Sequence, residues 1–232
     1  MKTYGGGNSM TYSEFLSELY SQEEPSFADF QRRLIVTKQK IIGIRTPRMR
    51  ALARKYKKEW ATLLTFPDEY FEVTFIKLTA LSLQPYEMIV KHVEQAVVSI
   101  DNWATCDCFR IKTIASHKDE FLPTLERIFA RGDEFDERYV LVTLLVYYAD
   151  ESYADLIESY IRRANTARYY VHTAVAWLVA ELLVKTYDVG LRILRSGVLD
   201  GKTQNKAIQK AKESFRISKE QKEFLNSFKI KI

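Results

Sequence analysis

Glycine and proline are scarce in this chain of 232 residues, eight and five respectively. An all-β fold spends those residues on its turns, so their scarcity argues against a sandwich or barrel. Gly5, Gly6 and Gly7 take three of the eight, inside a stretch, residues 1–10, expected to be a disordered leader or a vector-derived remnant. There are only two cysteines, Cys106 and Cys108. On one helix they project to different sides and there is no second pair, so neither a disulfide nor a zinc site follows. Reduced thiols fit a cytoplasmic protein. Apolar runs long enough to span a membrane are missing, as is a signal-peptide core, which points to a soluble protein. Phosphate loops, metal-ligand spacings and nucleophile triads are missing too, so no metal or nucleotide cofactor is expected. Period-2 alternation is nowhere convincing.

What is present is helical rhythm. Apolar residues make up 47% of the chain and aromatics 13%, enough for a large core. Apolar positions recur at helical spacing over 12–20, 26–37, 46–58, 59–65, 68–83, 85–99, 102–115, 118–130, 134–149, 151–163, 168–186, 188–196, 203–213 and 218–228. Ser26 and Thr46 read as N-caps, with Pro47 in the first turn, where its missing N–H costs nothing. Short links between such helices predict an all-α fold of stacked antiparallel helical hairpins, roughly 35–40 residues per repeat. Units share little sequence, so this expectation rests on rhythm alone.

Charge is mildly positive, 35 basic against 30 acidic residues, net +5. Arg45, Arg48, Arg50, Arg54, Lys55, Lys57 and Lys58 fall in a stretch free of acids. Just upstream, Lys38 and Lys40 lie in a connector broken by Gly43. A second basic group runs from Lys202 to Lys222, and a smaller one holds Arg162, Arg163 and Arg168. A solvated helix face explains each; a polyanion partner is compatible with each.

The most informative stretch is Ile100–Arg110. On a helix, Trp103 and Asp107 project from one face, one turn apart. A tryptophan filling the core with an aspartate on its rim is the ordinary explanation; a site for a cationic ligand is the alternative. Two later helices also carry an odd residue. Arg138 opens a run, Tyr139–Tyr148, that is apolar almost all round and therefore buried. It needs an anionic partner there: Glu134 or Asp150 in a salt bridge, or a ligand. Trp177 sits beside the apolar stripe Val171, Ala174, Val175, Leu178 and Leu182, on the face of Tyr170, Thr173 and Glu181.

These segments, in this order, resemble the DNA alkylation repair family, AlkD-type DNA glycosylases built from HEAT-like repeats. The matching pieces are Gly43–Arg50, Ile100–Asp107, Glu137-Arg138-Tyr139-Val140, Tyr169–Trp177 and Thr203–Lys210. The resemblance implies a curved HEAT-like solenoid, a single domain over 11–232, acting as a monomer on alkylated double-stranded DNA. It implies Asp107 as the catalytic carboxylate, Trp103 and Trp177 flanking the damaged nucleotide, and Arg138 near the carboxylate. Arg45, Arg48, Arg50, Lys38 and Lys40 are then candidates for DNA contacts. The chain departs from the family pattern in reading Glu137-Arg138 where an Arg-Arg pair is common. It also has Glu181, not an arginine, a turn past Trp177. A non-catalytic DNA-binding member, or a protein-binding helical scaffold, therefore stands beside the glycosylase reading.

Overall fold

Proline or a small polar cap sets several of the helix starts, at Thr11, Pro25, Pro85, Asn102, Asp200 and Ser218. The computed structural model describes residues 10–231, and the expected leader, Met10 apart, lies outside them. Among these residues the regular structure is helical, apart from a single bridge between Lys40 and Tyr70. They fall into two compact units, one up to Lys112 and one from Thr113.

The first unit holds α1 (Tyr12–Tyr20), α2 (Pro25–Leu34), α3 (Thr46–Lys55), α4 (Trp60–Leu64), α5 (Phe71–Ser82), α6 (Tyr86–Val97) and α7 (Trp103–Cys108). Helix α5 is its centre, touching α3, α4, α6 and α7. Contacts between every second helix, with the intervening one alongside, are what a succession of hairpins produces. A helix walled in on several sides must be apolar all round, and every residue from Phe71 to Leu78 is buried. The two charges in that run act as clasps. Lys77 Nζ donates to the Phe66 carbonyl at 3.1 Å and pairs with Asp68 at 2.6 Å; Glu72 grips a neighbouring connector, described below.

The second unit holds α8 (Lys118–Phe129), α9 (Glu134–Tyr147), α10 (Ala154–Arg163), α11 (Tyr169–Lys185), α12 (Tyr187–Arg195), α13 (Gly201–Glu213) and α14 (Lys219–Asn226). Here α11 is central, contacting α9, α12 and α13. Its buried surface is wider than the predicted stripe, taking in His172, Ala176, Val179, Ala180 and Leu183, because three neighbours cover it. The expected all-round burial of α9 is observed from Asp136 to Leu145.

The all-α architecture of successive helical hairpins is as predicted; several ends differ. Helix α2 stops at Leu34 rather than 37, since Ile35 turns extended (φ −112°, ψ 110°) and buries its side chain. Its N-cap is Glu24, with Pro25 in the first turn, not Ser26. Helix α3 is preceded by Arg45, and Thr46 is already helical and makes no cap. The helix expected over 102–115 breaks after Cys108, where Phe109 adopts ψ 77°. Phe109 and Ile111 are both buried. Residues two apart in a helix point to nearly opposite sides, so leaving the helix lets both turn inward. A 3-10 turn follows at Lys112–Ser116.

Candidate functional site

In the first unit the site is built on the connector between α2 and α3. Gly43 makes it possible: its φ is +99°, and a Cβ there would stand 2.6 Å from the Glu24 carbonyl oxygen. The backbone N–H groups of Ile42, Gly43 and Ile44 all donate to the buried Glu72 carboxylate, at 3.0, 2.8 and 3.3 Å. Burial pushes the Glu72 carboxyl above its ordinary range, against those donors, which pull it down. An acid inside the apolar run Phe71–Leu81 was the sequence signal for this clasp; its partners lie about thirty residues away and could not be read.

The other end of the connector is tied to α7. Asp101 accepts from the Thr37 hydroxyl at 2.7 Å and the Lys38 backbone N–H at 2.8 Å. The next residue, Asn102, is fully buried and caps α7, its Oδ1 accepting from Thr105 N at 2.9 Å. Asp101 and Asn102 therefore fix where Trp103 and Asp107 begin. Trp103 packs against the core of the unit while its indole N–H donates to the Leu34 carbonyl at 3.1 Å. The expectation of a core-filling tryptophan is thus partly met: Trp103 is packed and hydrogen-bonded, yet only half-buried, as Asp107 is. One turn separates them on α7. The main-chain carbonyl of Asp107 accepts from Arg110 Nε at 3.0 Å. Neither cysteine is in a disulfide; Cys106 is buried, while Cys108 stands 4.0 Å from Arg50 Nη2. Burial raises the Cys108 thiol, with Arg50 opposing.

All the candidate DNA-contacting residues are exposed, but several are already engaged. Arg45 and Arg48 converge on Glu24 at 2.9 and 3.0 Å, and the Arg45 guanidinium lies 4.6 Å from the centre of the Phe27 ring. Lys40 pairs with Glu69 at 2.7 Å. The acid-free stretch in the sequence thus meets acids supplied by other segments.

In the second unit, Arg138 is buried at the start of α9. Its guanidinium donates to the Tyr170 carbonyl at 2.8 Å and the Thr173 hydroxyl at 2.9 Å, and sits 5.8 Å from the Tyr170 ring centre. Of the acids expected beside it, Glu134 accepts from Tyr170 N at 2.9 Å, and Asp150 pairs with Lys118 at 3.1 Å. Glu137, also buried, accepts from Asn165 N at 2.7 Å; burial raises its carboxyl, while that N–H and Arg168 oppose the rise. Helix α9 thus holds both the loop before α11 and the first turn of α11.

Thr173 is one turn before Trp177, so Arg138 and Trp177 serve one strip of α11. Trp177 is half-buried and, with Glu181, Lys210 and Arg216, lines a cavity of about 290 Å³. Glu181 lies one turn past Trp177, the spacing of Trp103 to Asp107, and pairs with Lys185 at 3.0 Å. The structure therefore groups Trp103 with Asp107 in the first unit and Arg138 with Trp177 in the second.

Among the described residues, no group of three or more His, Cys, Asp or Glu is placed to hold a metal ion. None of their helices is long and apolar enough to cross a membrane. The family model for "DNA alkylation repair enzyme" matches residues 15–187. No curated protein matches the sequence. Among solved structures, the chain is similar to a "predicted DNA alkylation repair enzyme" from Enterococcus faecalis, with a TM-score of 0.62 and 18% identity. That match covers 80% of this chain and 95% of the other, and at such identity it bears on the fold alone.

Proposed function

Because the chain belongs to the DNA alkylation repair enzyme family, we propose that it is a DNA glycosylase. Its substrates would be cationic alkylated purines of the 3-methyladenine and 7-methylguanine type in duplex DNA. The Trp103–Asp107 pair carries this reading: an aromatic face and a carboxylate, one turn apart on a capped helix, inside the matched segment. A purine alkylated at a ring nitrogen is already a cation, and leaves the sugar as a neutral base. No general acid is needed for its departure. What needs stabilising is the positive charge that develops on the sugar, and a carboxylate with an aromatic face does that. Each cation–π contact contributes about 0.5–2 kcal/mol. Asp107 stabilises the oxocarbenium-like sugar and orients the attacking water. Trp177 and Arg138 take the roles that the family resemblance gives them, and Arg45, Arg48, Arg50, Lys38 and Lys40 contact phosphates.

Release of 7-methylguanine from methylated duplex DNA tests this. The wild-type protein is expected to release it, and Asp107→Asn to lose on the order of 10²–10³ in rate, the usual cost of removing one electrostatic stabiliser. Duplex affinity should stay within a few-fold. Full activity in Asp107→Asn would rule the mechanism out.

A second reading, a non-catalytic duplex-DNA binder, draws support from Glu181 beside Trp177, where the family pattern has an arginine. Wild-type protein that binds duplex DNA at low salt yet releases no base from any alkylated substrate would decide for it.

A further inference from the structure

Many basic residues of the second unit are paired with acids, as Lys118, Arg131, Arg163 and Arg192 are, but three lysines that share one groove are not among them. Lys202 and Lys206 lie one turn apart on α13, and both line a cavity of about 390 Å³ between α11 and α13. Lys229 reaches the same cavity from the C-terminal segment, which side-chain amides strap onto α13. Gln204 Nε2 donates to the Phe228 carbonyl at 2.7 Å. Asn205 donates to the Ile230 carbonyl at 2.7 Å and accepts from Ile230 N at 2.9 Å. Gln204 and Asn205 together place residue 229 over the groove. Among the described residues, none of the three lysines has a carboxylate at ion-pair distance.

The carboxylate nearest in sequence, Asp200, is occupied. It accepts from Thr203 N at 2.8 Å and from the Thr203 hydroxyl at 2.7 Å. Since it donates its hydrogen bond to Asp200, that hydroxyl accepts from His172 Nδ1 at 2.9 Å. His172 is buried and also lines the cavity. Its imidazole is pushed below its ordinary value, first by burial and then by Lys202. Ammonium groups that line one groove, with no carboxylate at ion-pair distance among the described residues, repel one another, and an anion relieves that repulsion.

We propose that this groove is a phosphate subsite, in which Lys202, Lys206 and Lys229 hold backbone phosphates of duplex DNA. The choice of DNA follows from the α11 strip. Tyr169 and Thr173 line this cavity, and Trp177 follows on the same face one turn beyond Thr173. Tyr169 to Trp177 is eight residues, about 12 Å along the helix axis. That spans three or so base steps of a duplex at roughly 3.4 Å each. The subsite thus fixes a strand a few nucleotides from the base served by Trp177, and in this it rests on the DNA reading proposed above.

The test is the salt dependence of binding to an undamaged duplex oligonucleotide, between about 50 and 200 mM salt, for wild type and the triple variant Lys202→Gln/Lys206→Gln/Lys229→Gln. Each lost phosphate contact is expected to make the log–log slope shallower by about 0.9. The triple variant should therefore lose about 2–3 from the slope and bind tenfold or more weakly at 0.1 M. Lys219→Gln, exposed on α14 and outside the groove, serves as control and should leave the slope unchanged. Circular dichroism and thermal unfolding confirm that each variant is folded. A folded triple variant with the wild-type slope overturns the proposal, as does a wild-type protein that binds no duplex at 50 mM salt. Base release is measured in parallel. A shallower slope in the triple variant, with no base released by the wild type, upholds the subsite and sinks the glycosylase reading. An unchanged slope with normal base release does the reverse.

Discussion

Gly43 and Glu72 act on the same three backbone amides from opposite sides. The left-handed φ of Gly43 turns the connector so that N–H groups 42–44 face α5, and Glu72 accepts all three. Gly43→Ala puts a Cβ into a positive φ and against the Glu24 carbonyl, and should cost more than about 1 kcal/mol, read as a drop in urea midpoint. Glu72→Gln replaces one acceptor oxygen by a donor facing N–H groups. Leaving a buried amide unpaired should cost about 1–3 kcal/mol. The two proteins should also differ in pH dependence. Below pH 4.5, the carboxyl's ordinary value, Glu72 is protonated folded or unfolded and its titration contributes nothing. As pH rises, the unfolded chain loses that proton first, because burial raises the folded value, so wild-type stability falls. The glutamine cannot titrate. Urea unfolding from pH 4 to 7 should therefore show the wild-type advantage shrinking as pH rises; a growing advantage would contradict this account.

At the scale of elements, α7 is six residues long and owes its existence to its cap. A helix this short is marginal unaided, so Asn102 and the ties from Asp101 to Thr37 and Lys38 carry much of its order. Asn102→Ala is expected to cost about 0.5–2 kcal/mol, and to lower base release by more than it lowers duplex affinity. The mechanism is loss of alignment between Trp103 and Asp107, and a matched fall in both quantities would argue for a purely structural cap. Helix α7 also shows where sequence reading works and where it stops. Its start and the Trp103–Asp107 face were legible, because caps and helical spacing are local. Its end was not, because the break at Phe109 answers to burial of Phe109 and Ile111 in a core assembled from distant segments. The α2 and α3 caps failed for a smaller reason. Ser26 and Thr46 are good capping types, but Pro25 and the extended Arg45 had already set those starts. The recognition of Arg138 as buried was sound. Its hydrogen-bonding to Tyr170 and Thr173 was out of reach, since both partners lie on another helix more than thirty residues on.

Over the whole molecule, the question is where positive charge is available to a polyanion. A net charge of +5 says little, because the sequence shows basic clusters but not the acids that folding brings to them. Arg45 and Arg48 share Glu24, Lys55 pairs with Glu18 at 2.6 Å, and Lys40 pairs with Glu69. Among the described residues, the lysines of the α11–α13 groove have no such partners. Exposed pairs of this kind contribute about 0–1 kcal/mol each to stability, so removing an acid costs the fold little while freeing cations for phosphate. Glu24→Gln releases two arginines at once. If Arg45 and Arg48 contact DNA as proposed, the variant should bind duplex DNA a few-fold more tightly at about 0.1 M salt. Its log–log salt slope should steepen by about 1–2, one increment of 0.9 for each arginine recruited to a phosphate. Glu69→Gln makes the same test for Lys40 alone, with an increment of about 1. Unchanged slopes in both variants, with unchanged thermal stability, would remove Arg45, Arg48 and Lys40 from the DNA-contacting set, leaving the groove lysines Lys202, Lys206 and Lys229 as the main phosphate contacts.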